Sequence, residues 1–379
     1  MDDTYDLAVI LNYYSPYVSG LTETARVVAE GVAVRGWRVC VAAAQHDPAL
    51  PRFETIAGVD VFRAPVAARI GKGVVSPTFL TLARRLARRS RVANLHLPML
   101  EAGLVARLAS PVPVATTYQC DVNLSPGMLD QAVVRVMDRS TKWAIARSAT
   151  AIVSSHDYAR SSRVAQALLP KAREIPPPCR VRPQGAAVFR EGAGPHIGFL
   201  GRIVAEKGLQ YLVKAFRHLD DPEARLLVAG DYERVAGGSV IDEVRAEAAS
   251  DDRVRFLGFL PEERIADFYA SLDVFAFPSV NSLEAFGIVQ VEAMLAGVPV
   301  VASDLPGVRM PVVATGLGRV VPPRDELALL EAIRGVLAEP AERWREGQAA
   351  TAARYGPDVT VDGYESVFAA LGRNPQAPL

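Results

Sequence analysis

Cysteine and lysine are scarce in this chain, and net charge is absent. Its 379 residues include 3 cysteines, Cys40, Cys120 and Cys179, with no C-x-x-C pair. That spacing argues against a disulfide scaffold or a zinc site and fits a reducing cytoplasm. Lys and Arg together number 42, as do Asp and Glu, which argues against a broad nucleic-acid surface. No apolar run approaches the length of a membrane-spanning helix. The start, MDDTYDLAVIL, is acidic and lacks the basic region and cleavage pattern of a secretory leader. The expectation is a soluble cytoplasmic protein. Only 5 of the basic residues are lysines, so a single Arg says little here and Lys207 says more.

What is present suits two domains. Half of the residues are hydrophobic, and 379 is long for one ordinary core. The most informative stretch runs from Asp273 to Ser303, DVFAFPSVNSLEAFGIVQVEAMLAGVPVVAS. Asp273 to Phe277 reads as a buried strand closed by Pro278. A loop follows, ending in Glu284-Ala285-Phe286-Gly287. Ile288, Val289, Val291, Met294 and Leu295 then recur at helical spacing, Gly297 and Pro299 stop the helix, and Val298 to Ala302 reads as the next strand. The helix start offers unpaired N–H groups and the positive end of the dipole, a natural anion site. Glu284 and Glu292 bracket that start. Carboxylates accept hydrogen bonds from sugar hydroxyls while backbone amides hold phosphate, which together suit a sugar nucleotide. By themselves, the two acids can equally be a dipole complement and a solvated face residue. Upstream, after a strand at Ile197 to Leu200, stands Gly201-Arg202-Ile203-Val204-Ala205-Glu206-Lys207-Gly208.

The two stretches resemble the donor site of retaining glycosyltransferases of family 4, through an E-x7-E pair and a G-R…K-G loop in the family's order. The resemblance extends over nearly the whole chain and is strongest from Ile197 to Asp325. It implies the α/β fold called GT-B, two Rossmann-like doubly wound parallel-sheet domains facing each other across a cleft. Residues 1–178 would form the acceptor-side domain, completed by a C-terminal helix at 357–372 that crosses back to it. Residues 179–193, rich in proline, would be the hinge, and 194–356 the donor domain. The resemblance further implies that Glu292 binds ribose hydroxyls and Glu284 contacts the transferred sugar. Ala285, Phe286, Gly287 and Ile288 would line the phosphate with backbone amides. Gly201 opens the loop whose Arg202 and Lys207 would neutralise the diphosphate, giving Glu284, Arg202 and Lys207 the catalytic roles. Ser19-Gly20 stands where relatives carry Gly-Gly against the diphosphate, so Gly20 is kept and one glycine is not. Gln119 replaces a His common in the family; it hydrogen-bonds a hydroxyl but cannot titrate. His96 and Asp121, at other strand ends, complete the expected acceptor and sugar side, with structural packing and loop capping as their alternatives. Glu262 and Glu263 fall near the expected base position.

Read in order, Leu7 to Leu11, Arg38 to Ala44, Val59 to Arg63, Val92 to Leu97, Val112 to Thr117 and Ala151 to Ser154 are further strands. Ala68 to Ser76 reads as a loop. Helices are expected over Thr22 to Arg35, Thr78 to Arg91 and Gln131 to Ala149. In the second of these, Arg84, Arg85, Arg88, Arg89 and Arg91 share a side opposite Phe79, Leu82, Ala83, Leu86 and Ala87. Such a helix can dock on anionic lipid, or simply pack with a solvated Arg-rich face. The expected activity is a metal-independent hexosyl transfer, with retention, from a UDP- or GDP-linked sugar to a saccharide or lipid-linked saccharide. No cofactor is expected, and no D-x-D triplet occurs. A glycoside phosphorylase and a transferase acting on small molecules are the alternatives within the fold. A dinucleotide enzyme fits poorly, because neither lobe has G-x-G-x-x-G after its first strand.

Overall fold

A computed structural model describes residues 4–70, 73–123, 127–233, 238–249, 251–281 and 284–373. The chain divides into two compact units, Met1–Pro178 with Asp358–Leu379, and Cys179–Pro357.

The first unit carries β1 (Tyr5–Ile10), β2 (Val39–Gln45), β3 (Phe53–Ile56), β4 (Val59–Pro65), β5 (Ala68–Ile70), β6 (Gly73–Val75), β7 (Ser90–Leu97), β8 (Val114–Tyr118), β9 (Thr150–Val153) and β10 (Ala172–Glu174). Eight of them form one sheet in the order β10-β9-β8-β7-β1-β2-β4-β3. All its pairings are parallel except that of β3 with β4. Parallel strands covered on both faces read as continuous apolar runs, which is why β1, β2 and β7 stand out in the sequence. The stretch from Ala68 to Val75 is an antiparallel pair, β5 with β6, where a loop was expected. The basic helix is also shorter than expected: it covers Phe79–Arg88, and Arg91 lies in β7.

The helix Gly20–Val34 follows β1 and opens with a capping box in which Ser19 and Thr22 satisfy each other's backbone amides. The final helix, Pro357–Arg373, packs on this unit: Val361, Tyr364, Val367, Phe368 and Leu371 join Leu7, Val9, Val28 and Val92 in one core. At its surface Glu365 accepts from Trp37 Nε1 at 2.9 Å and pairs with Arg35 at 2.5 Å.

The second unit carries β11 (His196–Leu200), β12 (Arg225–Ala229), β13 (Val254–Gly258), β14 (Val274–Phe277), β15 (Val300–Ser303) and β16 (Gly318–Val321). They form a parallel sheet in the order β13-β12-β11-β14-β15-β16. The chain runs outward from β11 in one direction and resumes at β14 in the other, so the strand order reverses between them. In a doubly wound sheet that switch point is where loops diverge and ligands bind. Residues 179–193, read as a hinge from their prolines, lie along this unit. Ala186 N donates to Asp267 Oδ1 at 2.9 Å, Phe189 N to Ser271 Oγ at 3.1 Å, and Arg190 pairs with Asp273 at 3.0 Å. Among the described residues, no helix is long and apolar enough to cross a membrane.

The C-terminal helix places five side chains in the first core. At about 1.5–3 kcal/mol for each buried apolar side chain, that sums to about 7–15 kcal/mol, the size of a whole domain's stability. A chain ending at Pro357 should therefore lose the cooperative unfolding transition of the first unit, followed by circular dichroism in urea. Arg35→Ala removes surface pairs and should cost less than about 1 kcal/mol.

Candidate active site

The loops leaving β11 and β14 meet at the switch point. Gly208 adopts φ +68°, and a Cβ there would lie 2.0 Å from Pro278 O. Val280 N donates to Glu206 O at 3.0 Å, tying the loops a second time. This contact fixes Lys207, the residue before Gly208. Its ammonium sits 5.3 Å from the centroid of the Phe277 ring and forms a charge-assisted hydrogen bond to Glu284 Oε2. Gly287 lies against the same ring: at φ +83°, its Cβ would be 2.5 Å from Phe277 Cε1. Gly287 caps the helix Ile288–Leu295, with Gln290 N donating to Gly287 O at 3.1 Å, and the positive end of the helix dipole lies at this cap. Lys207 and Gly287 thus converge on Phe277, and Glu284 joins them through Lys207.

Other residues brace this arrangement. Gln290, fully buried, donates from Nε2 to Phe286 O at 2.5 Å and to Val308 O at 2.9 Å, fixing the turn before the helix. Phe286 packs edge-on against Tyr355 with ring centroids 5.7 Å apart, and Ile288 joins that cluster. Ala285 lies in the turn between Glu284 and Phe286. Gly201 is close-packed in a different way: a Cβ on Gly230 would come 1.7 Å from its carbonyl oxygen. Arg202 points outward, half exposed, with Glu206 3.6 Å away.

Glu292 is separately housed. Only 6% exposed, it accepts from Arg182 through Oε2 at 2.9 Å. Burial raises its pKa above the ordinary carboxylate value, and Arg182 opposes that rise. Glu262 accepts from Arg182 at 2.7 Å and from Arg180 at 2.5 Å. Burial pushes its pKa up, but the two arginines outweigh burial and hold it below the usual value. Both guanidiniums bear on the same oxygen of Glu262, Oε1. Glu263 is exposed beside it. Arg180, Arg182 and Gln290 went unnoticed in the sequence.

In the first unit the order also reverses, between β1 and β7. Gly20 begins the helix after β1, and a Cβ there would meet nothing within 4 Å, so the surface above it is open. Gln119 Nε2 donates to Leu21 O at 3.4 Å, which brings the end of β8 to that helix start. His96 and Asp121 are turned inward. His96 is 1% exposed in β7, and burial lowers its pKa to about 3, so the ring is neutral at physiological pH. Asp121 Oδ1 accepts from Tyr118 OH and, at 2.9 Å, from Ser162 Oγ, while Arg163 N donates to Oδ2 at 3.3 Å. These bonds bind the loop together instead of presenting the carboxylate to a ligand.

The five arginines after Phe79 are exposed. Arg88 donates to Leu108 O at 3.2 Å and Ser110 O at 3.0 Å, and Arg91 pairs with Asp6 at 3.2 Å. Arg85 stands 5.9 Å from the Phe62 ring centroid. Among the described residues no three His, Cys, Asp or Glu side chains cluster as a metal site requires.

Residues 187–353 match the family described as glycosyl transferases group 1, and residues 19–178 match the glycosyl transferase 4-like domain. A 2-deoxystreptamine glucosyltransferase of Streptomyces kanamyceticus is 31% identical over 67% of this chain and 70% of its own length. A phosphatidyl-myo-inositol mannosyltransferase of Mycobacterium leprae is 29% identical over 96% of each chain. Among solved structures, sucrose-phosphate synthase from Thermosynechococcus elongatus superposes with TM-score 0.75 at 23% identity, covering 97% of this chain and 100% of that one. HepE of Anabaena, in complex with UDP and glucose, does so with TM-score 0.68 at 19% identity, covering 97% of this chain and 100% of that one. The chain belongs to the group 1 glycosyl transferases and has their GT-B fold.

The two glycines that carry the loop contact should resist substitution. Gly208→Ala and Gly287→Ala each force a left-handed backbone on a Cβ and a steric overlap. Each should lower stability by about 2 kcal/mol or more. Gly20→Ala, in open space, should leave it within about 1 kcal/mol of the parent. Guanidinium unfolding followed by tryptophan fluorescence distinguishes these outcomes.

Proposed function

We propose that this protein transfers a hexose from a UDP- or GDP-linked sugar to a saccharide or lipid-linked saccharide acceptor, with retention and without a metal. The observation that carries the reading is the convergence of Lys207 and the Gly287-capped helix on Phe277, with Glu284 joined through Lys207, within a group 1 module. In the proposed complex, the diphosphate takes Lys207 from Glu284. A unit charge at about 4 Å is worth about 4 kcal/mol at an effective dielectric of about 20, so a multiply charged diphosphate outcompetes one carboxylate. Glu284, released from its lysine, then accepts hydrogen bonds from hydroxyls of the sugar. Arg202, half exposed, swings to the same phosphates, and the amides of Ala285 to Ile288 complete the cradle.

As the glycosidic bond breaks, charge grows on the departing nucleoside diphosphate, and Lys207, Arg202 and the helix start stabilise it where a metal would otherwise serve. The acceptor hydroxyl attacks the same face, and its proton goes to the leaving phosphate. No side-chain nucleophile is required, and proton transfer does not pass through the neutral, enclosed His96 or through Gln119. The names of the relatives span both acceptor kinds: 2-deoxystreptamine is a small molecule and phosphatidyl-myo-inositol a lipid.

Calorimetric titration with UDP, GDP, ADP and CDP tests the donor site. One nucleotide should bind, and Lys207→Ala and Arg202→Ala should each weaken it, with Lys207→Ala lowering kcat/KM about 100-fold, the range for loss of one donor to developing negative charge. If no nucleotide binds and phosphate cleaves a disaccharide instead, the protein is a phosphorylase.

Lipid attachment is tested separately. Arg84 and Arg85 are the exposed arginines to target, since Arg88 and Arg91 serve the fold. Flotation with anionic liposomes should be lost in Arg84→Ser/Arg85→Ser; flotation unchanged by the pair removes the membrane from the proposal.

A further inference from the structure

The arginines of the 179–193 segment belong to the second unit's site. Arg182 is nearly enclosed, its side chain 11% exposed, and it bridges two acids through its two terminal nitrogens. Arg180 reaches Glu262 from the same segment. The four side chains form a chain of alternating charge, Arg180–Glu262–Arg182–Glu292. It begins at the surface, where Arg180 is 44% and Glu262 50% exposed, and ends at Glu292, 7% exposed at its side chain.

Two demands conflict at Glu292. A ribose-binding carboxylate works best charged and held in one rotamer, since a carboxylate accepts hydrogen bonds through about four lone-pair sites. Burial works against that charge. Glu262 adds like-charge repulsion, while Arg182 foremost and then Arg180 favour the ionised form. Tyr269, from the helix Ile265–Ala270, and Cys179 complete the groups that face it; burial and the nearby carboxylate keep both protonated. The Tyr269 hydroxyl donates to Val289 O at 3.0 Å. Arg182 occupies Oε2 of Glu292 and the Tyr269 hydroxyl also lies within hydrogen-bond reach of that carboxylate, so of its about four lone-pair sites about two remain for vicinal hydroxyls.

We infer that Arg182 is a positioning residue of the donor site: it holds Glu292 ionised and oriented to accept the ribose hydroxyls of a nucleoside diphosphate, and Glu262 and Arg180 hold Arg182 in turn. This rests on the reading of Glu292 as a ribose ligand. It also gives the 179–193 segment a part in donor binding beyond joining two domains. The sign of the pH effect follows. Glu292 accepts from both hydroxyls only as the carboxylate, so nucleotide affinity falls as pH drops through its pKa. Removing Arg182 removes the main force holding that pKa down, so the fall moves to higher pH.

The test is calorimetric titration of the full chain with UDP and GDP, between mildly acidic and mildly alkaline pH. The proteins compared are the parent, Arg182→Met, Arg182→Lys, Glu292→Gln and Arg182→Met/Glu292→Gln. Arg182→Met should lose about tenfold or more in affinity at neutral pH, with the loss growing as pH falls. Glu292→Gln should bind weakly at every pH. The double variant should match Glu292→Gln within about twofold, because Arg182 then has no carboxylate to position. Arg182→Lys should recover part of the affinity and, where Arg182→Met does not fold, reads out the shifted pH profile by itself. Parent-like binding by Arg182→Met at all pH values, or losses that simply add in the double variant, overturns the role of Arg182. The donor-site reading then survives, provided that the parent binds and Glu292→Gln does not match it. Failure of the parent to bind either nucleotide overturns both.

Discussion

The close approach of two loops at the switch point of the second sheet governs what the site can do. At Gly208 and Gly287 a loop crosses without room for a side chain, over the Pro278 carbonyl in one case and under the Phe277 ring in the other. Each takes a left-handed backbone that other residues adopt only at a cost. Lys207 precedes one of these glycines and Phe286 the other, so a steric fit between backbones sets where the cation and the helix start stand. Gln290 extends the same logic by holding the turn from below with two hydrogen bonds from one amide. The charged groups need little freedom of their own, because the backbone has already been placed.

The residues that meet at the second unit's switch point stand in plain view in the sequence for this reason. Glycine at fixed offsets, a lysine in a lysine-poor chain and an E-x7-E pair are all local signals. The central strands are legible too, since burial on both faces leaves unbroken apolar runs such as Leu7 to Leu11. The edges are not. FETI in β3 alternates exposed and half-buried positions, as a strand paired on one side should, and β10 is three residues long. The pairing of β5 with β6 hides in a stretch whose glycines read equally well as a loop.

Arg182 was out of reach for a different reason. It follows PPPCRV, which has no helical or strand period to say which way a side chain turns, and its partner Glu292 lies 110 positions away. Long-range ion pairs leave no pattern in a single sequence. His96 and Asp121 illustrate the converse. Both occupy strand ends where ligands commonly bind, yet side-chain direction decides the outcome. His96 is enclosed within β7, and Asp121 serves Tyr118 and Ser162. Position at a ligand-binding edge is therefore not sufficient for a role in the site.

The two acids of E-x7-E end in unlike surroundings, and the difference has chemical sense. Glu284, about a fifth exposed, meets a lysine whose compact charge exchanges partners easily. Glu292, enclosed, meets an arginine that a second acid also grips. A contact that must yield when diphosphate arrives is suited to a mobile ammonium; a contact that must persist through the cycle is suited to a planar fork held at two points. With each acid balanced by its own cation, an incoming anion in the proposed reaction would meet the field of the helix start at Gly287 and of the half-exposed Arg202. In the proposed reaction, that field binds the donor first, and the lysine is then drawn from Glu284 to the phosphate. The clamp on the leaving group and the release of the sugar-binding carboxylate thus become a single event.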